Sequence, residues 1–334
     1  MSGFKAVVLA GGSGERFWPL STPECPKQFL KVFGGESLIR QSVLRLGGMA
    51  KPSDVYVVTS RDLVSATRKE LPDLPFANII GEPMRRDTGA AVALGVAAAG
   101  ANENDVIGFF PSDHMVSKPA KFRAVLKKAI SLAKRKEQIV TIGIKPTYPS
   151  ESFGYVNVES GRFVEKPDFE TAKKYLASGY LWNAGMFIAR ASTFRKAFAE
   201  YAPSLLKLAS GGISKSVLTR RYKALERISF DYAVMERLSH SQGDVSVAVI
   251  PGDFGWDDVG SFSAFDKYFP HDSSGNVREG PCTVVESEEN ICVARSARIS
   301  LLGVKNLVVI TTPDAVLVAD KSRLSGMKKL FKSK

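Results

Sequence analysis

A short run of aliphatic and β-branched residues, Lys5-Ala6-Val7-Val8-Leu9, opens directly into a loop with glycine at positions 11, 12 and 14. The run has the length and composition of a buried strand. Glycine at that density lets the backbone take positive φ and lets a ligand approach main-chain N–H groups closely. Inward-turned N–H groups form a concave anion site, and Arg16 adds a rigid cationic fork to it. The stretch therefore reads as a phosphate-cradling loop at the carboxyl end of the first strand of an open α/β sheet, the place where such sheets bind ligands. Taken alone, the glycines also fit a flexible turn between two elements. Two familiar glycine signatures do not fit. The dinucleotide fingerprint needs a third glycine where Phe17 stands, and the P-loop needs a Gly-Lys-Ser/Thr that does not follow.

The rest of the chain alternates strands and helices. Residues 54–59, 78–81, 106–110 and 138–144 read as strands, and 36–46, 63–71, 90–101 and 120–135 as helices, with Asp87 or Thr88 the natural cap of the third helix. Short connections between such elements predict a Rossmann-like, doubly wound, mainly parallel sheet. Strand-like pieces follow at 152–158 and 162–167, and Asp168 is placed to cap a helix over 169–178. The run 181–188, LWNAGMFI, and a helix at about 193–201, ended by Pro203, come next. Residues 229–239 read as a helix with Phe230, Ala233, Val234 and Leu238 facing inward, and the run 245–250 leads on to the turn 254–262. Beyond residue 270 only short β runs remain, at 282–286, 291–294, 298–302, 307–311 and 315–318, and their period is too irregular to establish a β-helix by itself. A boundary in the Ser/Gly/Pro-rich passage 271–280 gives a large α/β domain (1–270), a small β-rich domain (271–320) and a basic tail (321–334).

Composition narrows the partners. The 334 residues carry 46 basic and 34 acidic side chains, a net charge of +12 that suits anionic ligands. Part of the surplus lies in Lys321, Arg323, Lys328, Lys329, Lys332 and Lys334, which reads as a solvated tail. No nucleic-acid signature accompanies it, so no nucleic-acid partner is expected. Cys25, Cys282 and Cys292 form neither a paired framework nor a zinc spacing, which fits a reducing compartment. No apolar run approaches a membrane span and no signal-peptide pattern opens the chain. A cytoplasmic protein without a membrane partner is expected.

Nine segments, LAGGSGERFWPLS, PKQF, EPMRRDTGAAVALG, FFPSDH, FGYV, FVEKP, WNAGMF, FDYAVME and GWDDVGSF, together resemble the GDP-mannose pyrophosphorylases, or mannose-1-phosphate guanylyltransferases, of the sugar nucleotidyltransferase family. They occur in the family's order from Leu9 to Phe262, and VKNLVVITTPDAVLVAD is similar to the family's small domain. The resemblance implies a nucleotide-diphospho-sugar transferase fold with a β-helix-like C-terminal domain. It implies the reaction of GTP with α-mannose 1-phosphate, Mg²⁺-assisted, giving GDP-mannose and diphosphate by in-line attack on the α-phosphorus. The catalytic set it implies is Arg16 on the leaving phosphates, Lys27 at the α-phosphoryl group, and Asp113 and Asp258 on the metal, with Asp257 a non-ligand neighbour.

Nucleotide contacts carried over are Leu9, Gly11, Gly12, Ser13, Gly14, Arg16, Glu82, Thr88, Gly89 and Ser112, Glu82 being the reader of guanine N1–H and N2. Sugar contacts are Gly154, Glu165 and Asn183, with Lys166 on the sugar phosphate. The chain departs from the family at Asp87, where Asn is frequent, and at Gly89-Ala90, where Ala-Pro is frequent. Without the resemblance, each aspartate reads as a cap or ion-pair partner, Glu82 as a surface residue before a turn, and Glu165-Lys166 as a surface pair. Asn183 resists so plain a reading, because a bare amide between Trp182 and Ala184 needs partners. Two other functions remain open: transfer to another manno-configured sugar 1-phosphate such as a heptose, and a regulator that binds sugar nucleotides without turnover. Retention of Arg16, Lys27, Asp113 and Asp258 together weighs against the regulator. By analogy a homodimer forms through the C-terminal domain. The chain ends too early for the isomerase domain fused to some relatives, so no isomerase activity is expected.

Overall fold

The computed structural model describes residues 3–330, except 13, 101, 212–214 and 328. It divides into two compact units, one made of residues 1–11 and 39–256, the other of 12–38 and 257–334.

The first unit is built on one sheet. Its strands run in the order Ser246–Gly252, Gln138–Ile144, Leu181–Arg190, Val106–Pro111, Phe4–Ala10, Val55–Ser60 and Ile79–Glu82, with the short pair Tyr155–Val156 and Phe163–Val164 attached to Leu181–Arg190. These neighbours are parallel except those of Leu181–Arg190, which runs antiparallel to both sides, and the short pair, which is antiparallel within itself. A parallel sheet is covered on both faces, so its strands read as continuous apolar runs rather than alternating ones. Val7, Val8, Val57, Ile107, Phe109, Val140 and Ile142 are accordingly all fully buried. The alanine-rich helix Asp87–Ala99 packs close to this sheet. A Cβ on its Gly95 would stand 2.6 Å from the Phe109 ring and 2.9 Å from Val7.

Three elements differ from the sequence reading. Pro203 does not merely end a helix; with its fixed φ and missing N–H it opens a new one, Pro203–Ala209. A further helix, Lys215–Ala224, follows. The segment read as a regular helix over 229–239 is a π-turn at Asp231–Met235 that continues as a short α-helix, Glu236–Ser239. The inward set holds in spite of this, with Phe230, Ala233, Val234 and Leu238 buried.

The second unit joins the glycine loop to the end of the chain. Phe17 meets Phe262 with ring centroids 5.1 Å apart, and Phe33 meets Phe265 at 5.2 Å. These contacts fasten residues 12–38 to Phe262 and to the helix Ala264–Tyr268. The β-rich part is a coil. Val277–Glu279, Ile291–Ala294 and Leu307–Thr311 stack in parallel, Val316–Asp320 closes the edge antiparallel, and Cys282–Val285 pairs with Ile299–Leu302. An asparagine ladder runs through its turns: Asn290 Nδ2 donates to Asn276 Oδ1 at 2.9 Å, and Leu307 N donates to Asn290 Oδ1 at 2.9 Å. The coil also borders a cleft of about 450 Å³, where Trp18, Pro19 and Lys31 face Arg295 and Thr312. Lys321 corrects the reading of a wholly solvated tail. It begins the 3-10 helix Lys321–Gly326 and pairs with Asp266 at 2.9 Å.

Candidate active site

The second unit carries the cationic loop. Gly14 holds φ 67°, and a Cβ there would lie 2.5 Å from Lys27 N, so glycine is required where the loop doubles back on itself. Gly14 O accepts from Ser21 Oγ at 2.5 Å and from Phe17 N at 2.9 Å. Gly12 leaves open space where a side chain would be, and Ser13 lies outside the described residues. Lys27 is buried, and its Nζ donates to the carbonyl oxygen of Asp258 at 2.6 Å. Gly260 brings the remaining members together: a Cβ on it would stand 2.9 Å from Asp258 Oδ2 and 3.3 Å from Arg16 Nη1. Arg16 and Asp258 thus converge on one bare glycine, and Lys27 holds the backbone of Asp258. Asp257 is engaged elsewhere, accepting from Val259 N at 2.7 Å and from Lys267 Nζ at 2.6 Å.

The first unit carries the other predicted residues. Leu9 lies near the end of the first strand, where its carbonyl accepts from Ser112 N at 3.0 Å, and Asp113 follows Ser112. His114 Nδ1 accepts from Trp256 Nε1 at 3.1 Å, which leaves the proton on Nε2, 3.9 Å from Asp113 Oδ1. Arg45 is buried behind this corner and donates to His114 O at 2.5 Å. Burial lowers its guanidinium to about 10, against the pull of Asp113.

Glu82 ends the strand Ile79–Glu82 and is buried, with Oε2 3.8 Å from where a Gly11 Cβ would be. Burial pushes its carboxyl up to about 7, while the hydroxyl of Tyr222 pulls it back. Asp87 sits at φ 64°, a conformation that short polar side chains tolerate, and its Oδ1 accepts from Thr88 N at 2.8 Å. Thr88 Oγ1 accepts from Phe230 N at 2.9 Å, and Gly89 N donates to Ile228 O at 3.1 Å. A Cβ on Gly89 would be 2.8 Å from that oxygen, a physical reason for glycine at this departure from the family pattern.

Gly154, Glu165, Lys166 and Asn183 form one cluster. A Cβ on Gly154 would stand 2.5 Å from Glu165 Oε2 and 3.6 Å from Asn183 Cβ. Lys166 holds φ 45°, and its Nζ pairs with Glu165 Oε1 at 2.6 Å. Asn183 sits where the strand bulges between its pairings with Thr141 and Gly143. Its Oδ1 accepts from Gly185 N at 3.1 Å, which fixes the amide orientation, and its Nδ2 donates to Asp231 Oδ1 at 2.9 Å. Burial, and then the charge of Glu165, raise the Asp231 carboxyl to about 7. Glu165 is itself raised by burial, against the ammonium of Lys166.

The sequence reading singles out neither Tyr222 nor Asp231. Asp231 has a signal in the unusual polarity of Asn183, which has to bond to something. Tyr222 has none.

Among the described residues no group of three or more His, Cys, Asp and Glu side chains is placed to hold a metal. A hard divalent ion bound through one or two carboxylates and substrate phosphates does not need such a group. The donors available are of the right kind: Asp258 offers carboxylate oxygen over a glycine that a Cβ would fill, beside a guanidinium suited to phosphate.

The nucleotidyl transferase model matches residues 5–274, and the MannoseP isomerase/GMP-like beta-helix domain model matches 280–333. The mannose-1-phosphate guanylyltransferase of Escherichia coli is 35% identical over 97% of this chain and 72% of its own length. The chain belongs to the mannose-1-phosphate guanylyltransferase family. Xanthan biosynthesis protein XanB of Xanthomonas campestris, also 35% identical, matches this family member over 99% of its chain and 73% of XanB. The solved mannose-1-phosphate "geranyltransferase" of Thermus thermophilus superposes on it with a TM-score of 0.87 at 32% identity, covering 99% of this chain and 98% of the other. A mannose-6-phosphate isomerase from Helicobacter pylori, at 24% identity and TM-score 0.62 over 76% of this chain and 99% of the other, shares the fold. Like the proteins it resembles, this mannose-1-phosphate guanylyltransferase family member has an α/β sheet and a terminal β coil. Among its described residues no helix is long and apolar enough to cross a membrane.

Proposed function

We propose that the chain transfers a guanylyl group from GTP to α-mannose 1-phosphate. A phosphate oxygen of the sugar forms a new bond to the α-phosphorus in line, and the bond to the β-phosphate breaks to release diphosphate. Both reactants are anions, so positioning and charge neutralisation account for the catalysis. The observation that most supports the reading is the meeting of Arg16 and Asp258 at Gly260, with Lys27 bonded to the Asp258 backbone. In this reading Arg16 binds the leaving phosphates, and Lys27, held against the Asp258 backbone, serves the α-phosphoryl oxygens. Asp113 and Asp258 are the proposed Mg²⁺ ligands; the ion supplies Lewis-acid neutralisation of phosphate charge. Leu9, Gly11, Gly12, Ser13, Gly14, Thr88, Gly89 and Ser112 line the nucleotide, with Glu82 reading guanine. Gly154, Glu165 and Asn183 take the sugar hydroxyls, and Lys166 takes its phosphate. A cytoplasmic location fits three cysteines that form no disulfide, Cys25, Cys282 and Cys292. For a homodimer we propose the outer edge of the β coil, where Val316 and Val318 are each 63% exposed; light scattering giving one chain's mass would exclude it.

The test is a matrix of nucleoside triphosphates against sugar 1-phosphates, scored by diphosphate release. GTP with mannose 1-phosphate should give the highest kcat/KM, and EDTA should stop turnover. Undiminished turnover in EDTA would exclude the metal role. Preference for a heptose phosphate would move the sugar assignment.

A further inference from the structure

Tyr222 is fully buried, 140 residues from Glu82 in sequence, and its hydroxyl donates to Glu82 Oε1 at 3.2 Å. The only other acceptor within its reach among the described residues is Ala90 O at 3.4 Å. Nothing in the proposed reaction uses this phenol. We infer that Tyr222 is a positioning residue for base choice: its single proton, given to Glu82 Oε1, fixes the carboxylate plane and turns Oε2 toward Gly11. The inference rests on the reading of Glu82 as the guanine contact.

The chemistry follows from what guanine requires. Its N1–H and N2 amino group are both donors, so only an ionised carboxylate can accept from both. Glu82 sits in a buried place that favours the protonated acid, with Asp87 adding like charge and Arg85 opposing it. A hydroxyl that donates to the carboxylate favours the ionised form. Ala90 O supplies the alternative: when Glu82 is protonated, the phenol can donate to this carbonyl and accept from the acid. Tyr222 therefore has two hydrogen-bond states, one for each protonation state of Glu82. Only the first prepares the site for guanine.

The sign is fixed. Removing the hydroxyl raises the pH at which Glu82 ionises, so the acid limb of kcat/KM for GTP moves upward. A hydrogen bond to a charged group is strong enough for a move of about one to two pH units. In the enzyme with Mg²⁺ and mannose 1-phosphate, Tyr222→Phe should lower kcat/KM for GTP about five- to fiftyfold at pH 7. The loss should close by about pH 9, with kcat/KM for ATP and the KM of the sugar within twofold of wild type. Replacing Tyr222 with 3,5-difluorotyrosine, a stronger donor of nearly the same shape, should move the limb the other way; this arm decides the matter if the Phe variant does not fold. Glu82→Gln separates the two claims. If it leaves the GTP to ATP ratio unaltered, the guanine role of Glu82 fails and the inference falls with it. If it abolishes GTP preference while both Tyr222 replacements keep the wild-type limb, Tyr222 alone is excluded.

Discussion

Gly260→Ala tests the proposed roles of Arg16 and Asp258 with a single methyl group. Gly260 does not occupy the left-handed region, so alanine meets no backbone penalty and reduces the freedom of the unfolded chain. The added Cβ would stand 2.9 Å from Asp258 Oδ2 and 3.3 Å from Arg16 Nη1, where ordinary contact begins at 3.4 Å. The carboxylate must therefore retreat by about 3.4 − 2.9 = 0.5 Å, and the guanidinium by about a tenth of an ångström. Both atoms end flexible side chains, so the fold absorbs the change cheaply. Catalysis does not, because a misplacement of 1 Å can cost about a hundredfold. Half that displacement predicts about a tenfold fall in kcat, or ~1.4 kcal/mol in the barrier. Diphosphate release at saturating substrates measures it, with thermal melting as the check on folding. The KM for the sugar phosphate should stay within twofold. A folded variant with wild-type kcat would refute the placement of Asp258 and Arg16 beside the reacting phosphates.

Three further outcomes are expected. Asp258→Asn should remove turnover. Asp257→Asn should leave most of it and cost on the order of 1 kcal/mol of stability through Lys267; the reverse ranking of activities would make Asp257 the metal ligand. Gly14→Ala, at φ 67° and 2.5 Å from Lys27 N, should destabilise by more than about 2 kcal/mol in denaturant titration, and an unchanged midpoint would show that the loop is not held as described. Glu82 and Asp231 both have carboxyls raised to about 7, so the native state binds more protons than the unfolded chain above about pH 4. Their contribution to stability must fall as pH rises toward 7, by on the order of 2 kcal/mol for Glu82 between pH 5.5 and 7.5. A urea midpoint that climbs over this interval would contradict it.

Much of this protein is legible in its sequence because its signals are local. Strand Gln138–Ile144 begins and ends where its apolar run does, and the Asp168 cap forms, its side chain accepting from Thr171 N at 2.8 Å. Asn183 announces that it has partners, although not which ones. Tyr222 is hidden because its helix, KSVLTRRYKA, shows too little apolar periodicity to betray a buried face. The π-turn leaves no trace either. Phe230, Ala233, Val234 and Leu238 satisfy ordinary helical spacing, while the shift in register lies in the backbone hydrogen bonds. The asparagine ladder rests on two residues, Asn276 and Asn290, that gain meaning only when one coil is laid on the next. The discontinuous make-up of the compact units is equally hidden, because hydrophobic patterning marks elements but does not say which distant segment a loop will rest upon.

The unit that holds Lys27 against Asp258 joins residues 231 positions apart. Residues 12–38 are made long before Phe262 and Phe265, whose rings pack on Phe17 and Phe33. Until then that loop has nothing to settle on, and such long closures are slow. A chain cut short before residue 257 keeps Glu82, Glu165 and Asn183 but lacks the segment with which residues 12–38 form one compact unit. A copy that stops short of residue 257 is therefore expected to release no diphosphate.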